Sequence, residues 1–382
     1  MKKFLDCISV VGTTPSRFQG KRKYVSTGAV ATTEINESEV VEVTYEDRPS
    51  RANLSAESGD ILFAKMQGTR KTLLLDSETE ENVYSTGFYA IRANPEVITT
   101  ECLYYLVDSE LFLTQKDKHC SGATQKAITN GGLAKIEIRV PPLSEQGILT
   151  EKLRNLTRLI ADKRKQLELF DEVIKSRFIE MFGEPESNPM HWAMLPLGDC
   201  LTVLGGYAFK SEEFKAYGVP VLRIGNINTG VFTPTNMVYW AKDALLERYQ
   251  VLPGDLVISL TGTVGKDDYG NVCILGNAYP MYYLNQRNAK LVLGESLNKH
   301  YLSELLKFTQ IKKKLTGISR GVRQANISNR DILNLVVPLP PIELQTQFSA
   351  FVQQTDKSKF EIQQSLEKLE ILKKSLMQQY FG

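Results

Sequence analysis

The side chains best suited by type and spacing to a chemical task are cationic. Lys312, Lys313, Lys314, Arg320, Arg323 and Arg330 crowd a short segment that also holds Gly321 and Gln324. Lysines on such a segment meet phosphate oxygens and bind broadly, whereas Arg320, Arg323 and Gln324 have the donors to position a duplex or reach base edges. A matching stretch lies earlier in the chain, with Lys116, Lys118, Gln125 and Lys126 between Lys116 and Asn130. The net charge of +2 is uninformative, but its distribution is not. Residues 1–140 carry 17 Lys and Arg against 19 Asp and Glu, and residues 187–339 carry 16 against 11, so the second block is the basic one. A basic edge of this kind suits a polyanion.

Residues for bond-making chemistry are scarce. No Gly-x-Gly-x-x-Gly follows a strand and no P-loop occurs; Gly262-Thr263-Val264-Gly265-Lys266 lacks the phosphate-binding spacing and is read as a turn. The polar-Pro-Pro-aromatic loop that grips an amine for methylation is missing, since Asn94-Pro95-Glu96 and Asn188-Pro189-Met190 do not supply it. His119, His191 and His300 are the three histidines, too few for much acid–base work. Cys102, His119 and Cys120 have no second pair to close a tetrahedral zinc site. No catalytic centre, metal or cofactor is expected in this chain.

The elements that position the cationic segments belong to an internal repeat. Pro141-Pro142-Leu143-Ser144-Glu145-Gln146 returns as Pro340-Pro341-Ile342-Glu343-Leu344-Gln345, and Met181-Phe182-Gly183 as Tyr380-Phe381-Gly382. Gly122, Gln125, Ile128 and Asn130 match Gly321, Gln324, Ile327 and Asn329 at the same offset. Further forward, Asp6-Cys7 resembles Asp199-Cys200, and Gly59-Asp60-Ile61-Leu62 resembles Gly254-Asp255-Leu256-Val257. Cys7 and Cys200 are read as small core residues at equivalent places. A duplication of this length is a domain plus an attachment, not a solenoid.

The attachment is a long helix. Leu149, Leu153, Leu156, Ile160, Lys163, Leu167, Phe170, Ile174, Arg177 and Met181 step by four and three, as do Phe348, Val352, Thr355, Lys359, Ile362, Leu366, Leu369, Lys373, Leu376 and Tyr380. Such seams predict helices that pair with each other, their polar members fixing register. The prolines stop the preceding strand and Gly183 and Gly382 end the helices. Leu159, Leu169, Val173, Phe178 and Leu372 fall outside the seams, and a two-stranded coil leaves them wet, so a further helical partner is expected to cover them. Ahead of each helix, short runs such as Val40–Tyr45, Asp60–Ala64, Gly87–Ile91, Val219–Ile224 and Asp255–Leu260 read as strands, and Glu101–Leu113 and Leu297–Lys313 as helices. The fold class is α+β, with two tandem domains each followed by a long helix and the helices pairing as an antiparallel coiled coil.

With this plan in view, the chain resembles a specificity subunit of type I restriction–modification systems over essentially its whole length. The resemblance rests on the two Pro-Pro-[Leu/Ile]-x-x-Gln helices ending in Phe-Gly and on Ser121-Gly122-Ala123-Thr124-Gln125 with Arg320-Gly321-Val322-Arg323-Gln324. It rests also on Gly205-Gly206-Tyr207-Ala208-Phe209-Lys210-Ser211 with Val219–Ile227, a motif from which the first half departs. It implies target-recognition domains at 1–140 and 185–339 and spacer helices at 141–184 and 340–382. It also implies a split, asymmetric double-stranded DNA target, methyltransferase subunits docked on the helices, with Leu159, Leu169, Val173 and Leu372 as docking residues, and a restriction subunit outside them. S-adenosylmethionine is then expected on the partner methyltransferase. The rivals are a self-contained methyltransferase or nuclease and a coiled-coil scaffold with two protein-binding domains.

No stretch approaches eighteen consecutive apolar residues, the N-terminus does not read as a secretory signal, and five cysteines make no disulfide framework, so a cytoplasmic, membrane-free protein is expected. The seam from Leu149 to Met181 is about 50 Å of helix at about 1.5 Å per residue. Antiparallel pairing makes it a ruler that holds half-site centres no more than about 15 base pairs apart, and nearer one turn if the domains overhang. Inserting one heptad into 149–181, matched in 348–380, is expected to add up to about three unread base pairs to the target while both read parts persist. Sequencing the methylated motif checks this; an unchanged gap in an active complex removes the ruler.

Overall fold

Pro141 and Pro142 follow the strand Glu137–Ile138, and the helix Leu143–Phe182 starts at once behind them. The same happens at Pro340 and Pro341, between the strand Val336–Leu339 and the helix Ile342–Phe381. Proline fixes φ near the helical value and has no N–H to leave unpaired in a first turn. Gly183, at φ +77°, closes the first helix by donating its N–H to Ile179 O at 2.8 Å. A Cβ there would lie 2.5 Å from the Pro189 ring, so the position needs glycine on both counts.

The computed structural model describes residues 1–263, 265–317 and 324–382. It forms two units, Met1–Lys165 with Gln363–Gly382, and Gln166–Ile362. The divisions fall inside the long helices, so each unit is a sheet-rich body with one half of each helix. Among the described residues no helix is long and apolar enough to cross a membrane.

In the first unit one sheet runs Ile8–Val11, Phe88–Ala93, Ile61–Ala64, Thr72–Leu74, antiparallel throughout. A second runs Val41–Val43, Arg22–Val25, Val83–Ser85, Ala52–Leu54, and its central pair is parallel. The second unit repeats both, as Leu201–Gly205, Asn288–Leu293, Leu256–Ser259, Val272–Ile274 and as Val238–Trp240, Val219–Leu222, Tyr282–Leu284, Gln250–Val251. Its Val219–Leu222 and Tyr282–Leu284 strands are likewise parallel. The strand-like runs read from sequence all hold a strand, one to three residues shorter or longer. Each single helix expected before the Gly-Gln segment is two: Thr100–Val107 and Glu110–Lys118, then Lys299–Lys307 and Thr309–Thr316. Ser109 breaks the first by accepting from Phe112 N, a capping bond that starts a new helix.

Every seam position named above is buried or half-buried. Within the first unit the helix halves run antiparallel, with Arg164 paired to Glu370 at 2.7 Å and Arg139 donating to Gln379 O at 3.2 Å. Within the second, Lys359 pairs with Asp171 at 2.6 Å, and the rings of Phe178 and Phe182 lie 5.5 and 5.4 Å from Phe348. Phe178 corrects the sequence reading. It is fully buried, stacked 5.3 Å from Tyr301 in its own unit's core, and offers nothing to a partner.

The glutamine of the repeated proline motif ties body to helix. Gln146 is fully buried; its Oε1 accepts from Thr99 N at 2.8 Å and its Nε2 donates to Val97 O and Pro141 O at 3.1 and 2.9 Å. Gln345 does the same with Asn298 N, Ser296 O and Pro340 O at 2.8, 3.0 and 2.8 Å. Each amide satisfies three backbone groups at the cap of a body helix and the start of a long one. Gln146→Ala or Gln345→Ala is expected to lower stability by about 2 kcal/mol or more, because the stranded groups stay buried. The exposed Gln354→Ala should change it by less than about 0.5 kcal/mol. Urea unfolding midpoints of the three variants check the contrast.

Candidate nucleic-acid interface

In the first unit the strand Ile61–Ala64 runs into a loop, Lys65–Arg70, that lies against the Gly-Gln segment. Gln67 N donates to Lys126 O at 2.9 Å and Ile128 N to Lys65 O at 2.9 Å. Ser121 and Ala127 exchange backbone bonds at 2.9 and 3.0 Å, closing a small loop whose residues 122–126 are all exposed. Gly122 turns that loop at φ +136°, and a Cβ would meet Gln125 O at 2.4 Å. Lys118, Gln125 and Lys126 are thus exposed on one edge with Gln67. Lys65, which the sequence reading does not single out, stands 4.5 Å above the Tyr89 ring and donates to Thr86 O at 2.9 Å. Partial burial lowers its pKa. Its only sequence signal is its place just after Gly-Asp-Ile-Leu, where the second half carries the glycine-rich Thr261–Lys266 stretch.

Lys116 does not join this edge. Its side chain is buried, and its ammonium donates inward to the carbonyls of Thr69, Met66 and Ala64 at 2.7, 3.0 and 3.4 Å. The expectation that it meets phosphate is therefore corrected.

In the second unit the same edge is built as a ladder. Thr261–Thr263 pairs antiparallel with Gln324–Asn326, so the stretch read as a turn is half strand; Val264 lies outside the described residues. Thr263 N donates to Asp268 Oδ1 at 2.8 Å, and a Cβ on Gly262 would meet that oxygen at 2.3 Å. Lys313 and Lys314 are exposed on the helix Thr309–Thr316. Lys312 is a second correction: its side chain is mostly covered and its ammonium is held by Asp267 and Asn271, so its charge is largely spent within the fold. Arg320, Arg323 and the side chain of Gln324 lie outside the described residues. Beside the helix a groove of about 970 Å³ is lined by Lys175, Lys266, Lys307 and Lys313 together with Asp171 and Glu304. Arg287, also absent from the sequence reading, is exposed where Asn285–Arg287 turns into the strand Asn288–Leu293.

Several of the cysteines and one histidine are placed as packing. Cys102 is buried and its thiol pushed up to about 12 by burial, the wrong direction for a nucleophile. Cys7 and Cys200 are buried at equivalent places. Burial pushes the His300 imidazole down to about 4, so it is neutral near pH 7. Among the described residues no three His, Cys, Asp or Glu side chains gather as a metal site would need.

Outside the seams, Leu159, Leu169 and Val173 are 47% exposed and Leu372 53%. Phe360 and Ile371 on the second long helix are exposed further still, at 62% and 69%, although the seam spacing alone does not single them out.

The described architecture is a duplicated α+β body with a duplicated seam helix and a polar loop edge on each copy. The chain belongs to the type I restriction modification DNA specificity domain family, which matches residues 11–169 and 189–373. It is similar to the type I restriction enzyme MjaVIII specificity subunit of Methanocaldococcus jannaschii, 27% identical over 63% of this chain and 60% of that protein. It is similar also to the EcoKI specificity subunit of Escherichia coli, 24% identical over 77% of this chain and 67% of that one. The chain thus spans between about three fifths and two thirds of these relatives' lengths. Its fold is shared with a crystal structure of a type I restriction-modification system S subunit from M. genitalium, at 15% identity and a TM-score of 0.57, covering 100% of this chain and 95% of that one.

The double variant Lys313→Ala/Lys314→Ala is expected to flatten the slope of log affinity against log salt by about 0.9 for each phosphate no longer neutralised, as should Lys118→Ala/Lys126→Ala. Salt titration of binding to random-sequence duplex checks it. An unchanged slope in both takes these lysines off the interface.

Proposed function

We propose that this chain is the non-catalytic sequence-reading subunit of a cytoplasmic type I restriction–modification complex. On this reading the target-recognition domains, residues 1–140 and 185–339, each read one part of a split, asymmetric DNA target. The spacer helices, 141–184 and 340–382, set the gap. Methyltransferase subunits carrying S-adenosylmethionine dock on Leu159, Leu169, Val173 and Leu372, and a restriction subunit joins outside them. Arg320, Arg323 and Gln324 stay assigned to the DNA edge of the second domain, with Lys313 and Lys314 on phosphate.

One observation carries this reading. The two bodies keep the same sheet order and glutamine ties, yet present different segments at the same edge: Lys65–Arg70 with residues 121–127 in one, Thr261–Thr263 with the 324–326 strand in the other. A repeated frame with unlike edges suits two unlike half-sites. The exposed apolar residues outside the seams, Leu159, Leu169, Val173 and Leu372, support a helical partner.

Co-expressed with its methyltransferase subunits, the chain is expected to direct methylation to a two-part motif with an unread gap, seen by sequencing modified bases. Leu159→Glu/Val173→Glu should abolish co-purification of the methyltransferase while the chain stays folded by circular dichroism. Methyl transfer by the purified chain alone, or retained co-purification of the double variant, defeats the reading.

A further inference from the structure

Lys116 is a buried cation aimed at the underside of a loop. We propose that it is a specificity-positioning residue: its ammonium, caged by the carbonyls of Ala64, Met66 and Thr69, sets the shape in which Lys65–Thr69 is presented to DNA by the first domain. The proposal rests on the reading of that edge as DNA-facing.

The geometry supports it in three ways. Carbonyls do not converge without a cation or donors between them, and here one ammonium directs its three protons to the carbonyl that ends the strand, Ala64, and to two of the loop after it, Met66 and Thr69. The next residue extends the hold, for Asp117 Oδ2 accepts from Gly68 N at 3.0 Å and Asp117 O accepts from Gln67 Nε2 at 3.2 Å. The Asp117 carboxylate also stands 3.4 Å from the ammonium and offsets its charge. With the carbonyls turned inward, Gln67 and Gly68 face solvent beside Lys126, whose carbonyl accepts from Gln67 N. Lys116 and Asp117 thus fix the bottom of the loop, and the loop's exposed face is what remains to meet a groove.

The cage belongs to one half only. Phe112 and Lys116 are repeated as Ile311 and Leu315, all four fully or almost fully buried. Leu315 has no polar atom to offer, and the corresponding loop is held by its pairing with Gln324–Asn326 and by Asp268. Removing the cage should therefore disturb reading by one domain.

The test selects bound sequences from a library of random duplexes with the full chain, its Lys116→Met variant and its Asp117→Asn variant. The native chain should enrich a two-part motif. Lys116→Met should lose base preference in one part by about tenfold or more, the size of one mismatched base pair, and keep the other part and the salt slope. Asp117→Asn keeps side-chain volume but removes the charge, and should relax the same part to a lesser degree. It decides the matter alone if Lys116→Met does not fold. Full preference in both parts in the folded variants overturns the proposal. So does loss of both parts together, which makes the cage a support of the whole fold. A native chain that enriches nothing refutes the functional reading instead.

Discussion

A seam helix buries its apolar stripe or does not persist, and in this chain neither seam is buried by one partner alone. In the first unit Leu149 and Leu153 of one helix and Met377 and Phe381 of the other join Phe4, Phe112 and Ile136 in one cluster. In the second, Ile174, Phe178, Phe182, Phe348 and Val352 pack with Tyr301, Leu305 and Leu306. The helix ends are therefore core elements, and the first body is completed by Met377 and Phe381 from the far end of the sequence. Most of what holds a 40-residue helix in place is this burial, since helix propensity alone supplies little. The buried Gln146 and Gln345 then fix the angle at which each helix leaves its body, because an amide with three partners tolerates little displacement.

The long helices were legible in the sequence because their period is sustained and repeated, and because proline and glycine mark both ends. The α+β character and the recurrence of the frame were legible for the same reason. The break at Ser109 was not, since Glu101–Leu113 keeps a helical pattern across a residue that caps as readily as it continues. The burial of Phe178 was not either. A seam specifies two positions in seven, whereas a helix that also lies on a body buries a wider stripe, and nothing in the spacing says which side the body is on.

Charged side chains were the least legible. Lys116 and Lys118 are two residues apart in a polar stretch, yet one is sealed inside and the other exposed. The difference lies in carbonyls contributed by a loop some fifty residues earlier. Lys312 and Lys313 are adjacent, and the first is taken up by Asp267 and Asn271 across a turn of the same unit. A count of charges sees all four alike. Only the backbone's path decides which cations keep their charge for a partner.

The duplicated buried polar ties are what free the edges to differ. Asp60 is buried between Arg92 Nε at 2.6 Å and Glu57 N at 2.9 Å, and Asp255 repeats it with Lys290 and Leu252 N at 2.7 and 2.8 Å. Gly59 and Gly254 ahead of them share a left-handed φ, +85° and +87°. Losing the partners of Asp60 strands a buried carboxylate, a cost of about 1–3 kcal/mol, while Asp255 holds the equivalent tie half-buried. The exposed tips carry no such obligation, because surface substitutions change stability by only about 0.5 kcal/mol. Both loop bases pair with the Gly-Gln segment, Met66 with Ala127 in one half and Thr261–Thr263 with Gln324–Asn326 in the other, but only the first adds an ammonium cage. On the proposed reading, each domain can alter what it reads at its edge while the frame and the helices that set the gap stay as they are.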